Sequence, residues 1–118
     1  MSDFAFGKAP ADPPADPKRF PADYKADVAE FLRTSLSNPT KVKDAFIGQP
    51  VLKQVGKIEQ YVTCVRYNPR DSKNQYEGPT SNVAIFLNGR LAQFLGGTPE
   101  MCAGLTYQRY PELESMVP

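Results

Sequence analysis

Residues 83–95 read VAIFLNGRLAQFL, two apolar runs separated by Asn88-Gly89. Asn-Gly between apolar runs is the strongest short-range signal for a β-hairpin, because a type I′ turn needs positive φ at both central residues. A two-residue loop predicts three cross-strand pairs, namely Ile85 with Ala92, Val83 with Phe94 and Phe86 with Leu91. Because both faces of the hairpin are partly apolar, we expect it to lie well inside a sheet.

Two further extended segments precede the hairpin. Residues 58–67 are rich in β-branched and aromatic side chains and predict the clearest strand of the chain. Residues 42–52 are also apolar, but Gly48 and Pro50 interrupt them. Because proline cannot donate a hydrogen bond to a central ladder, this segment is typical of an edge strand with a bulge or a break.

An amphipathic helix is predicted before the strands, starting near Pro21 and ending before Asn38-Pro39. Its apolar stripe has helical spacing and consists of Tyr24, Val28, Phe31, Leu32 and Leu36. Such a stripe is typical of a helix face packed on a sheet. The predicted fold class is therefore α+β, with one N-terminal helix packed on a three- or four-stranded antiparallel sheet. Residues 21–118 are predicted to form this single domain.

The remaining segments have less regular patterns. Prolines recur through residues 1–20 and predict a flexible, extended Pro-rich linker. Residues 68–79 are long and polar for a loop, and we interpret them as a flexible connector. Thr98 followed by Pro99 predicts the cap of a short helix. Residues 107–118 are expected to be irregular.

The residue inventory excludes several classes of function. The chain has no histidine, which removes the usual zinc ligand and the base of Ser-His-Asp and Cys-His hydrolases. Lys and Arg number 14 against 13 Asp and Glu, and no block of one sign stands out along the chain. A nucleic-acid-binding surface needs clustered positive charge, so we expect no nucleic-acid partner. No catalytic site, cofactor or metal site is predicted.

The sequence also bears on the compartment. No stretch approaches the roughly 20 apolar residues of a membrane-spanning helix, so no transmembrane segment is predicted. The first residues, Met1 to Phe6, have neither the basic region nor the apolar region of a signal peptide. If the protein is exported, we expect this sequence to correspond to a form from which the signal has been removed.

Cys64 and Cys102 are the only cysteines. They do not form the Cys-x-x-Cys motif of redox catalysis, and two cysteines without histidine make a poor metal site. Two interpretations stay open. The pair is either two buried free thiols in a cytoplasmic protein or a structural disulfide in an oxidising compartment. A disulfide at this spacing would contribute on the order of 4 kcal/mol to stability.

Three groups of residues between about 20 and 114 carry a resemblance to a family. They are residues 31–39 with 42–45, residues 64–68 with 76–78, and Cys102 with residues 110–114. In this order, they resemble a group of small bacterial exported proteins of unknown function that are often described only as lipoproteins. The resemblance implies export, a lipid-anchored precursor and a Cys64–Cys102 disulfide, and it implies no activity. The chain departs from the group at its start, where it has no lipid-bearing cysteine.

Three functional hypotheses follow. The first is a non-enzymatic binding or structural module of the cell envelope, with an unknown envelope protein or surface as its partner. It would be periplasmic, or anchored to the outer membrane after signal removal, with a cytoplasmic location as the alternative. An exposed patch of Tyr61, Tyr67 and Tyr76 would support this hypothesis. The second is a small-ligand or peptide binder with a cystatin-like arrangement of helix and sheet.

The third hypothesis is a carboxylate-based hydrolase. Its candidate acids are Glu59, Asp71, Glu77, Glu100, Glu112 and Glu114. Paired carboxylates need a cleft and shifted pKa values to act as acid and base. A domain of this size seldom forms a deep cleft, so solvated surface acids are the more ordinary interpretation.

Overall fold

The computed structural model describes residues 16–118, which fold as an antiparallel sheet with helices. In chain order the elements are α1 (Tyr24–Ser35), β1 (Asn38–Gly48), β2 (Val51–Val55), β3 (Ile58–Arg70), β4 (Thr80–Leu87), β5 (Arg90–Gly96), α2 (Pro99–Cys102), β6 (Tyr107–Arg109) and α3 (Pro111–Glu114). The α+β class and the antiparallel sheet are confirmed.

The sheet has six strands in the order β5-β4-β3-β1-β6, with β2 paired to the first part of β3. The predicted three or four strands are therefore too few, for two reasons. The apolar segment 42–52 is divided into β1 and β2 at Gln49 and Pro50. The tail, expected to be irregular, supplies β6 and the short helix α3, so that prediction is wrong.

Strand β1 lies inside the sheet, between β3 and β6, so its prediction as an edge strand is wrong. Pro50 costs no ladder hydrogen bond because it lies between β1 and β2. The predicted bulge is present, since the β1–β3 register shifts where Lys41 and Asp44 adopt positive φ of 58° and 54°. A bulge adds a residue to one strand, which lets side chains three positions apart point to the same side.

The Asn88-Gly89 turn is confirmed, with φ of 55° and 80° at its two residues. Phe86 lies opposite Leu91 as predicted. Beyond that pair a bulge shifts the register, so the other two predicted pairs are wrong: Ile85 lies opposite Gln93, and Val83 opposite Leu95. Strand β4 is buried as expected, but β5 is an exposed edge strand rather than an inner one.

The sheet is packed on both faces. On one face, α1 and α3 cover a core that includes Val28, Leu32, Ile47, Val65, Phe86, Tyr110 and Leu113. On the opposite face, a smaller core of Val62, Cys64, Val83 and Ile85 is covered by residues from α2 and from the segment that follows it. No helix within residues 16–118 is long and apolar enough to cross a membrane.

Helix α1 begins at Tyr24, not near Pro21, and residues ahead of it pack on the domain, so it is not the N-terminal element that was predicted. The Asp16 N–H donates to Asn88 Oδ1 at 2.8 Å, and the Phe20 ring lies edge-on to the Tyr61 ring with centroids 5.1 Å apart. Residues 16–20, predicted as the end of the linker, thus contact the sheet. Residues 1–15 of the predicted linker lie outside the described residues.

Candidate functional site

Part of the sheet face opposite α1 is left uncovered where β6, β1 and β3 run side by side. Arg66 lies on this face because its neighbours Val65 and Tyr67 belong to the helix-side core. Phe46 lies on it for the same reason, between the buried residues Ala45 and Ile47. Arg66 is exposed and Phe46 is half-buried. Side chains here therefore reach solvent directly from the middle of the sheet.

Three residues form a row across these strands. Phe46 pairs with Arg109 of β6 on one side and with Arg66 of β3 on the other. Arg109 is exposed, and its guanidinium carbon lies 5.4 Å from the centre of the Phe46 ring. The guanidinium carbon of Arg66 lies 5.9 Å from the centre of the Tyr107 ring. At such distances the negative face of an aromatic ring attracts the cation, so both arginines have an aromatic support.

A lysine extends this surface along β1. Lys43 pairs with Asn68, which lies two residues beyond Arg66 and hence on the same face. Its ammonium nitrogen is 4.2 Å from the centre of the Tyr76 ring. The Tyr76 hydroxyl donates to the Lys41 carbonyl oxygen at 2.8 Å, which fixes the ring. We call the surface formed by Lys43, Phe46, Arg66, Tyr76, Tyr107 and Arg109 the cationic face.

The charges of the cationic face are only partly compensated. Nη2 of Arg109 lies 3.3 Å from Glu114 Oε2, and that carboxylate also accepts the Ala45 N–H at 3.0 Å. Within the part of the chain that the structure describes, Arg66 and Lys43 form no ion pair. The face therefore combines one paired arginine with two unpaired cations. It is suited to binding anionic groups, since exposed cations keep their charge and their donors available.

The pKa of the Tyr107 hydroxyl is raised, mainly by burial, although the positive charge of Arg66 lowers it in part. At neutral pH this side chain is thus an uncharged phenol. It adds an aromatic surface and a hydroxyl to the cationic face without cancelling the charge of Arg66.

The tyrosine patch that would have supported the binding-module hypothesis is not formed. Tyr67 is only 5% exposed, because its position in β3 points it to the helix side, where its hydroxyl donates to Asn82 Oδ1 at 2.6 Å. Tyr61 is half-buried beneath Phe20. Of the three tyrosines, Tyr76 alone is well exposed, at 43%. It belongs to the segment 68–79, predicted as a loop, of which residues 68–70 continue β3. Two hydrogen bonds hold this segment: the Tyr76 hydroxyl donates to the Lys41 carbonyl oxygen, and the Gly78 N–H donates to Asn68 Oδ1.

Sequence reasoning missed the cationic face because its members are far apart in the chain. Lys43, Arg66 and Arg109 lie on three different strands, and no block of positive charge marks them. One local signal was present: Arg66 is the only charged residue in the stretch from Tyr61 to Asn68. A charge at one position of an apolar strand indicates a point where that face of the sheet is open.

The six candidate acids are dispersed over the fold. Glu59 lies in β3, 3.7 Å from the Lys18 ammonium group, and Glu100 lies in α2. Asp71 organises the turn of the loop 68–79, where its carboxylate accepts the N–H groups of residues 73 and 75; Glu77 belongs to the same loop. Glu112 and Glu114 share α3. The described residues contain no group of three or more acidic, cysteine or histidine side chains that could hold a metal ion.

Cys64 and Cys102 are joined by a disulfide, with the sulfur atoms 1.96 Å apart. The bridge links β3 to the end of α2. Thr98 caps the start of α2 as predicted, because its hydroxyl accepts the Met101 N–H at 3.2 Å. The disulfide therefore fixes the segment that covers the smaller core, and it lies on the same side of the sheet as the cationic face.

A second open surface lies on the opposite side of the molecule, where α1 meets the edge strand β5. The Phe31 and Phe94 rings pack with centroids 5.0 Å apart, and Phe31 remains 40% exposed. Arg90 closes one end of this surface through a two-point ion pair with Asp27, at 2.8 and 3.0 Å. We call it the edge groove.

No family model matches this chain, and neither does any curated protein or solved structure.

Proposed function

We propose that the protein is a non-enzymatic binding module of the bacterial cell envelope and that it docks on its partner through the cationic face. One observation carries this proposal: Arg109, Phe46 and Arg66 stand in register across three neighbouring strands, with both arginines exposed. Paired strands hold the backbone of these residues in place, so binding requires no ordering of the main chain, which favours affinity.

The proposed location rests on the disulfide and on the resemblance to exported lipoproteins. Disulfides persist in oxidising compartments such as the periplasm and are rare in the cytosol. The bridge between Cys64 and Cys102 is therefore what an exported protein would be expected to have. We propose that the domain works in the periplasm or attached to the outer membrane, with any lipid anchor located in a precursor.

Co-sedimentation with isolated bacterial envelope fragments tests the proposal. The wild-type protein is expected to sediment with the fragments. Arg66→Glu is expected to stay in solution, because it places a negative charge at the β3 end of the row. Lys57→Glu is the matched control, since it makes the same change in charge at an exposed residue between β2 and β3. Equal sedimentation of Arg66→Glu and the wild type would reject the proposal, and so would equal loss in both variants.

The edge groove favours a second candidate function, the binding of an extended peptide. Strand β5 pairs with β4 on one side only among the described residues, so its other side offers backbone groups for pairing. The Leu91 N–H is not among them, because it donates to Asp27 Oδ2 at 3.3 Å. The exposed Phe31 ring beside it would take an apolar side chain of the peptide. Selection of random peptides against the protein tests this candidate. Peptides whose binding is lost in Phe31→Ser would favour it over the cationic face, and peptides that bind this variant unchanged would count against it.

A further inference from the structure

We infer that the ligand of the cationic face is an acidic polysaccharide, a chain of sugars with anionic groups repeated along its length. This inference rests on the proposed function and specifies the ligand of the same surface. It is supported by the separation of the arginines, by the backbone that surrounds them and by the aromatic rings beside them.

The backbone positions of the two arginines are held at a fixed separation by the sheet. Both lie directly opposite Phe46, one on each neighbouring strand. Neighbouring strands are about 4.8 Å apart, so the attachment points of Arg66 and Arg109 are about 10 Å apart. A guanidinium binds a carboxylate or a phosphate with two parallel hydrogen bonds. Two cations attached on either side of β1 favour a ligand that carries more than one anionic group, as a polymer with a repeating acidic unit does.

The centre of the row lies inside the sheet, which argues against a peptide that adds there as a strand. Strand β1 is paired on both sides in this region, with β3 and with β6. Its backbone donors and acceptors are consequently used, and an incoming peptide could not add to it as a strand. The outer edge of β6 is unpaired among the described residues, but a ligand that lies over Phe46 and Arg66 is recognised by side chains. Anionic groups fixed to a semi-rigid chain meet that requirement.

The aromatic rings argue against a single-stranded nucleic acid. Nucleic-acid platforms need ring faces that are free to stack with bases. Here the ring of Phe46 has the Arg109 guanidinium over it, and the ring of Tyr107 is approached by that of Arg66. Both rings are also only half exposed. They are placed to hold the guanidinium groups in position. The disulfide further favours a compartment in which nucleic acid is not the prevalent polyanion.

Calorimetric titration with a short oligogalacturonate is the direct test, with its methyl ester of the same length as the uncharged control. The wild type is expected to bind the acid saturably and to ignore the ester. Arg66→Gln and Arg109→Gln are each expected to weaken binding about tenfold, the usual effect of losing one charged hydrogen-bonded pair. Lys57→Gln, exposed and outside the face, should bind as the wild type does. Thermal melting of each variant verifies that it is folded.

Several outcomes would overturn the inference. They are equal binding of the ester and the acid, unchanged affinity in both arginine variants, and binding of a single-stranded oligonucleotide as tightly as of the oligogalacturonate. Absence of oligogalacturonate binding also overturns it. If the protein then still sediments with envelope fragments in an Arg66-dependent way, the ligand class is wrong and the proposed function stands. If Arg66 has no effect in either experiment, both are wrong.

Discussion

Phe46 lies directly opposite Arg66 in the β1–β3 ladder, on the sheet face that α1 does not cover. The pair shows how a strand that is buried on one side can present a charge on the other. Arg109, on the far side of Phe46, completes a row in which an aromatic ring is flanked by two cations.

Replacement of the central ring should weaken binding without unfolding the domain. Phe46→Leu keeps an apolar side chain but removes the ring 5.4 Å from the Arg109 guanidinium. An exposed cation–π contact contributes about 0.5–1 kcal/mol, so binding to envelope fragments is expected to fall about threefold. Phe94→Leu in the edge groove is the control, and it should bind like the wild type. A larger loss in the control would point to the edge groove instead.

The disulfide should be detectable in the intact protein. Unfolding without reductant followed by alkylation is expected to leave the mass unchanged, because both sulfur atoms are already bonded. Two added alkyl groups in freshly prepared protein would contradict both the bridge and the exported location. Where the bridge is present, Cys102→Ser should lower the free energy of unfolding by on the order of 4 kcal/mol. Denaturant titration measures this loss.

The segment before α1 should contribute to stability. Phe20 contacts the rings of Tyr24 and Tyr61, with centroids 6.4 and 5.1 Å away. Edge-to-face aromatic pairs contribute about 1 kcal/mol, so Phe20→Ala is expected to lower the melting temperature by a few degrees. Val117→Ala is the matched control, because Val117 is 71% exposed and should be neutral. An unchanged melting temperature for Phe20→Ala would mean that residue 20 contributes nothing to stability, as the linker prediction implied.

Alkaline pH should destabilise the protein through Tyr67. Burial, together with the nearby charge of Glu77, raises the pKa of its hydroxyl to about 12 from an ordinary 10.0. A raised pKa in the folded state means that its stabilising contribution is complete below pH 10 and is lost as the pH rises towards 12. Melting temperatures measured across this range should fall, and Tyr67→Phe should reduce the slope. Equal slopes in the two proteins would assign the effect to other groups.

Local chemistry explains which parts of the fold could be predicted. The Asn88-Gly89 turn and the Phe86–Leu91 pair next to it depend on backbone preferences of the turn itself. The register beyond that pair depends on a bulge, and nothing in the sequence marks its position. Lys41 and Asp44 likewise adopt positive φ without being glycine. The positions of these bulges therefore have no local sequence signal of the kind that Asn88-Gly89 gives for the turn.

The candidate site was missed for a related reason. Reading β3 as a strand requires deciding which of its faces each residue occupies, and both faces are largely apolar. Tyr67 was considered for an exposed patch, but it is buried, whereas its neighbour Arg66 is exposed. The row around Phe46 further requires β6, which was not expected to be a strand. A site that depends on pairing across three strands follows from the topology rather than from any motif.

Arginine modification in the bound state tests most directly whether the cationic face is the binding surface. The protein, free or bound to envelope fragments, would be treated with phenylglyoxal and the modified arginines identified by mass spectrometry. Protection of Arg66 and Arg109 is predicted, while Arg33 and Arg90, on the side of α1 and β5, should react equally in both states. Protection of Arg90 with full reactivity of Arg66 would contradict the account and place the binding surface at the edge groove.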